Sequence, residues 1–158
     1  MEQSHDSTGC KLGYKMKLLS NAFHRALNNA LTESGLTGAQ SFILGYLFHT
    51  KDSPPCQHDI ETEFNITHPT VTGILKRLQE KGYVEFRPDE ADRRLKRIVI
   101  TPAGSAAAAA TRDKLDETEN RLSSCLDAQE LAELNRILDK IIALALTEQD
   151  GAERRRRC

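Results

Sequence analysis

Thr67, His68, Pro69, Thr70, Thr72, Gly73, Lys76 and Arg77 gather hydroxyls, an imidazole, two cations and small side chains into one short stretch of this 158-residue chain. Asp92, Arg93, Arg94 and Lys96 form a second polar group downstream. Such residues do the chemistry of nucleic-acid recognition. Hydroxyls and imidazole reach phosphates or base edges, a threonine methyl touches thymine, and Lys or Arg reaches guanine in a major groove. Asp92 stands near enough in sequence to hold one arginine by a bidentate pair while the other reaches outward, as an arginine entering a narrow minor groove must. Bond-making chemistry finds no comparable support. There is no GxSxG, Walker loop or dinucleotide fingerprint, so the chain is read as a non-enzyme without cofactor. Its five histidines, His5, His24, His49, His58 and His68, lack the spacing of a zinc site, and no metal is expected. His68 at the start of the polar stretch would make nucleic-acid affinity sensitive to pH near neutrality.

A helix must carry the first group. Thr67 suits an N-cap and Pro69 a first turn, while Val71, Ile74, Leu75 and Leu78 recur at the spacing of one buried face. Pro69, Thr72, Gly73 and Lys76 then point the other way, with His68, Thr70 and Arg77 on the flanks. Lys81 and Gly82 supply a basic last turn and a left-handed cap. Residues 83–87 and 95–100 alternate like strands around the turn-rich PDEADRR, so a β-hairpin follows with the arginines at its tip.

Long helices flank this unit. Leu12, Met16, Leu19, Phe23, Ala26 or Leu27, and Ala30 form one apolar stripe, and Leu131, Leu134, Leu138, Ile141 and Ala145 form another. Asp127 followed by Glu130 resembles a capping box. Thr101 and Pro102 open a further helix through the alanine run, in which Leu115, Leu122 and Leu126 can pack inward. Stripes of this length join the helices of two chains into a dimer, or fold over the core of one.

Composition places the chain among ordinary soluble proteins, with 39% hydrophobic residues and a length that suits one compact unit. The longest apolar run is too short to cross a bilayer and the first ten residues are polar, so no membrane association and a cytoplasmic location are expected. Cys10, Cys56, Cys125 and Cys158 form no CxxC pair and imply neither a disulfide framework nor a zinc ribbon. Net charge is −1, yet residues 66–101 hold eight basic side chains against five acidic ones, with acidity collected at 113–119 and 127–133. The field should be polarised, although the same counts fit a solvated, salt-bridged surface.

Three segments, LTGAQSFILGYL, DIETEFNITHPTVTGILKRLQEKGYV and DEADRRLKRIVITPAG, together resemble the winged helix-turn-helix core of the MarR family of bacterial transcription regulators over residues 36–104. Cys56 departs from the pattern, standing where a Ser or Thr cap is usual. The resemblance implies a mainly α fold with a small β-hairpin wing and long dimerisation helices on both sides. Expected divisions are an N-terminal dimerisation helix at 1–35, the DNA-binding lobe at 36–101, C-terminal dimerisation helices at 102–149 and a disordered basic tail at 150–158. It further implies a homodimeric repressor on a pseudo-palindromic duplex operator, released by a small aromatic or phenolic ligand near His24, Phe42 and Tyr46. A peroxide-sensing branch of the family suggests an alternative, in which Cys10, with Lys11, Lys15 and Tyr14 nearby, is a redox trigger. The rival from another class is a winged-helix module that docks on protein instead of DNA.

Overall fold

Six α-helices and one antiparallel hairpin make up the described residues, 11–156, of the computed structural model, with side chains described for 11–147. The elements run α1 (Lys11–Ala30), a 3-10 turn (Thr32–Ser34), α2 (Gly38–His49), α3 (Gln57–Phe64), α4 (His68–Glu80), β1 (Val84–Pro88), β2 (Lys96–Ile100), α5 (Pro102–Ser123) and α6 (Ala128–Arg156). This is a winged helix-turn-helix between long helices. The chain divides between Thr118 and Glu119 into two units. His5, Cys10 and Cys158 lie outside the described residues.

In the first unit α2 is the central helix, apolar on more than one side, with Ile43, Leu44 and Leu47 almost without exposure. It starts at a reciprocal cap: the Gln40 amide donates to the Thr37 hydroxyl at 3.3 Å, and the Thr37 amide to the Gln40 side-chain oxygen at 3.1 Å. Around α2 gather Ile60 of α3, Val71, Ile74, Leu75 and Leu78 of α4, and Val84 and Ile98 of the hairpin. Burying each such side chain stabilises the unit by about 1.5–3 kcal/mol before chain entropy is counted. The turn from α3 to α4 is tight because Asn65 adopts a left-handed conformation (φ 48°), which asparagine tolerates better than most residues. α1 belongs to this unit with the winged core, and its Phe23 stacks on Phe42 of α2.

β1 and β2 pair antiparallel with Val84 opposite Ile100 and Phe86 opposite Ile98. A third segment joins them: Ile98 donates its amide to the Pro55 carbonyl at 2.8 Å, and Cys56 forms a bridge with Arg97. This pairing gives Cys56 its use. The missing Ser or Thr cap is offset by Asp59, whose carboxylate accepts the Cys56 amide at 2.8 Å and places a negative charge in the first turn of α3. At the far end of the hairpin, the Thr101 hydroxyl accepts the Gly104 amide at 3.0 Å and donates to the Gly82 carbonyl at 2.7 Å, so one side chain caps α5 and ties it to the end of α4.

The second unit holds the end of α5 and all of α6. Asp127 accepts the amides of Gln129 and Glu130 at 2.8 and 2.9 Å, and Glu130 accepts the Asp127 amide at 2.9 Å, the reciprocal cap expected from DAQE. Leu131, Leu138 and Ile141 are half-buried, while Leu134 is 38% exposed. α6 runs to Arg156, past residue 150, where the sequence expectation starts a disordered tail. Gly151 weakens the helix at that boundary, but the Ala, Glu and Arg that follow are good helix formers and favour its continuation. Among the described residues no helix is long and apolar enough to cross a membrane.

Two glycines with opposite surroundings test this packing. A Cβ on Gly104 would sit 2.1 Å from the Tyr83 carbonyl oxygen and 2.9 Å from an Ile100 side-chain carbon, whereas one on Gly73 would meet nothing within 4 Å. Gly104→Ala is expected to destabilise the protein by about 1–3 kcal/mol through overpacking. Gly73→Ala is expected to stabilise it by about 0.5–1 kcal/mol through helix propensity. Urea denaturation of both variants checks the pair, and equal midpoints would contradict the close seating of α5 on the hairpin.

Candidate nucleic-acid interface

Because Val71, Ile74, Leu75 and Leu78 face the core, α4 presents its remaining surface to solvent. Pro69, Thr70, Thr72, Gly73, Lys76 and Arg77 are all exposed, so the structure brings the first polar group together on one bare face. Lys76 lies 4.0 Å from Glu80 across one turn, an exposed pair too weak to hold it from a phosphate. Thr67 stands at the N-cap position but makes no capping hydrogen bond from its side chain, contrary to the expectation. Its hydroxyl instead lies 2.9 Å from that of Thr70. One proton closes this pair, leaving the second to donate outward at a helix N-terminus, where unpaired amides already favour an anion.

His68 and Thr72 are drawn back toward α3. The His68 Nδ1 lies 2.6 Å from a carboxylate oxygen of Glu61, and the Gln57 side-chain amide donates to that same oxygen at 3.0 Å and to the Thr72 hydroxyl at 2.8 Å. Thr72 in turn donates to the His68 carbonyl at 2.9 Å. Burial alone would push the Glu61 carboxyl up, but the hydrogen bonds from Gln57 and His68 outweigh it and hold the group below the ordinary glutamate range. The His68 ring is thus held through Nδ1 by a contact within the protein, while the residue stays exposed. Neither Gln57 nor Glu61 was among the residues picked from sequence. Their signal was the spacing of four on α3, which places both on one face.

The hairpin tip is built by two aspartates. Asp92 holds Arg94 in a fork, with Nε and a terminal nitrogen at 3.1 and 3.2 Å from its two oxygens, and lowers its own pKa mainly through that pair. Arg94 nevertheless keeps 89% of its side chain exposed, and Arg93 and Lys96 are exposed without an ion pair among the described residues. Asp89 does a different job. Its Oδ1 accepts the amides of Ala91 and Asp92 at 2.9 Å each, which folds the tip, and its Oδ2 accepts Arg97 Nε at 2.6 Å. Arg97 also donates to the Pro54 carbonyl at 3.4 Å and comes within 3.9 Å of Asp59. The base of the wing is thus tied to the start of α3, a role sequence reading did not assign.

The candidate ligand residues fall in two contacts. Exposed His24 and half-buried Phe42 both meet Phe23, with ring centroids at 6.1 Å in each case. Tyr46, one turn along α2 from Phe42, meets Phe64 of α3 edge-on at 5.6 Å. Burial first, and then the charges of Glu63 and Asp59, push the Tyr46 phenol up. Among the described residues no group of three or more His, Cys, Asp or Glu side chains has the geometry to hold a metal ion.

A family model described as MarR family matches residues 34–95. The transcriptional activatory protein BadR of Rhodopseudomonas palustris is 27% identical over 95 residues, 60% of this chain and 54% of its own length. The homoprotocatechuate degradative operon repressor of Escherichia coli is 27% identical over 93 residues, 59% of this chain and 63% of its own length. The chain therefore spans a little over half the length of these curated relatives. Among solved structures, a complex of S. aureus MepR with DNA superposes with a TM-score of 0.80 at 27% identity, covering 85% of this chain and 98% of that one.

Asp89 gives the wing a defined acid limit. The Asp92 amide and then Arg97 hold its carboxyl below the ordinary aspartate range. A depressed native pKa means that the contribution is complete above the unfolded value and is lost as pH falls through the folded one. In an NMR acid titration the amides of Ala91 and Asp92 should stay protected until the pH drops below the ordinary aspartate range. Asp89→Asn should remove that acid step. Loss of protection already near neutral pH would contradict the assignment.

Proposed function

We infer that this chain, a member of the MarR family through the domain at residues 34–95, is a dimeric, sequence-specific DNA-binding transcriptional regulator. The observation that carries this reading is the bare face of α4, where Thr70, Thr72, Gly73, Lys76 and Arg77 stand exposed opposite a fully buried apolar stripe. A protein-docking face would present aromatic residues or leucines instead. α4 enters the major groove, the Thr67 and Thr70 hydroxyls and Lys76 meet phosphates, and Arg93, Arg94 and Lys96 bring the wing against the backbone or minor groove. The S. aureus MepR neighbour, solved with DNA, supports the same use of this fold.

Dimerisation is supported by apolar side chains that the single chain leaves in solvent: Leu12, Met16, Leu18 and Leu19 on α1, and Ile137, Ile142, Leu144 and Leu146 on α6. Two copies related by a two-fold axis present two α4 helices to a pseudo-palindromic operator with half-sites about one helical turn apart. A small aromatic or phenolic ligand near His24, Phe42 and Tyr46 releases the protein by changing the distance between the two winged lobes. Repression in the cytoplasm completes the reading. The E. coli relative is named as a repressor and the R. palustris relative as an activator.

Binding of the purified protein to the DNA upstream of its own gene, titrated with salt, tests this function. Tight binding by a dimer, with log K falling linearly against log salt, is expected. Arg94→Ala is expected to weaken it by about 1–3 kcal/mol. Absence of binding even at low salt would move the assignment to a protein-docking module.

A further inference from the structure

The geometry points to Thr72 as a reader of the thymine methyl group, with Gln57 as the residue that sets it to that task; this rests on the DNA-binding reading above. A threonine on a groove-facing helix reads either with its hydroxyl, to a phosphate or base edge, or with its methyl, against the C5-methyl of thymine. Here the hydroxyl is already engaged. It donates to the His68 carbonyl at 2.9 Å and accepts the Gln57 side-chain amide at 2.8 Å. Gln57 is itself fixed by Glu61 at 3.0 Å, and Glu61 by His68 at 2.6 Å. Turning the hydroxyl toward DNA breaks both of its bonds and takes an acceptor from the Gln57 amide. The methyl is the remaining substituent on the β-carbon of an exposed residue, and the adjacent Gly73 has open space where a side chain would stand. A base edge can therefore approach closely.

Thr70 makes the contrast. Its hydroxyl shares one proton with Thr67 and leaves another to give away, which suits a phosphate. Two threonines on the same face thus have different duties: Thr70 positions, Thr72 specifies. Gln57 is a positioning residue, acting through Thr72.

Duplexes selected by the purified full chain from a random library supply the probe. In the enriched sequence each thymine is replaced in turn by deoxyuridine, which removes only the methyl group. One position per half-site is expected to lose about fourfold in affinity, the value of one buried methyl-sized group. Thr72→Ser, which keeps the hydroxyl and drops the methyl, should bind thymine and deoxyuridine equally there, while Thr72→Val should retain the thymine preference. Equal binding of both bases at every position by the native protein, or a preference kept by Thr72→Ser and lost by Thr72→Val, overturns the inference alone. Failure to enrich any duplex overturns the DNA-binding reading and this inference with it.

Discussion

The helix proposed to read DNA has to be gripped from one side and left bare on the other, and the burial of Val71, Ile74, Leu75 and Leu78 against α2, α3 and the hairpin meets that demand. Apolar contact is non-directional, so it fixes which half of α4 is inside but leaves some freedom of rotation about the helix axis. The polar contacts at the upper edge remove that freedom. Gln57 and Glu61 reach from α3 to His68 and Thr72 on successive turns of α4, and hydrogen bonds demand direction as well as distance. The orientation of the exposed face of α4 is then set by the core and its fine rotation by this network.

The wing divides its charges in a similar way. Exposed ion pairs contribute little to stability, so their value here is geometric. Asp92 splints Arg94 at the tip, where the guanidinium keeps nearly all of its exposure. Asp89 and Arg97 act at the base, and through Pro54 and Asp59 they join the hairpin to the first turn of α3. Since α3 also orients α4, the hairpin base and α4 share one support. A displacement of α3 reaches both.

Much of this was legible in the sequence because it follows local periodicity. The stripe on α4, the hairpin around PDEADRR, the Asp127 cap and the Asp92 fork all depend on neighbours within a few residues. The limits have equally physical causes. Arg97 meets Asp89, Asp59 and Pro54, and Gln57 meets Thr72, across loops whose closure no spacing rule reports. The bridge between Cys56 and Arg97 is a single pair and has no alternation to detect. Thr67 fits the statistics of a cap, yet a hydroxyl can satisfy itself on another hydroxyl, and here Thr70 is the one it meets. Phe42 and Tyr46 share a face of α2, but their aromatic partners come from α1 and α3 respectively, a division fixed only by folding.

The two apolar helices place a further constraint on how such a protein works. Single exposed leucines on a surface are ordinary, but Leu12, Met16, Leu18 and Leu19 lie along one helix, as do Ile137, Ile142, Leu144 and Leu146. The winged lobe does not need them, since its core closes around α2 without them. A chain organised this way can bury the arms against a second copy without altering its reading face. In the proposed dimer, affinity for a two-half operator would depend on lobe spacing, while sequence choice would depend on side chains of α4 such as Thr72. On that proposal signal and specificity would vary independently, because they would be carried by different packing problems.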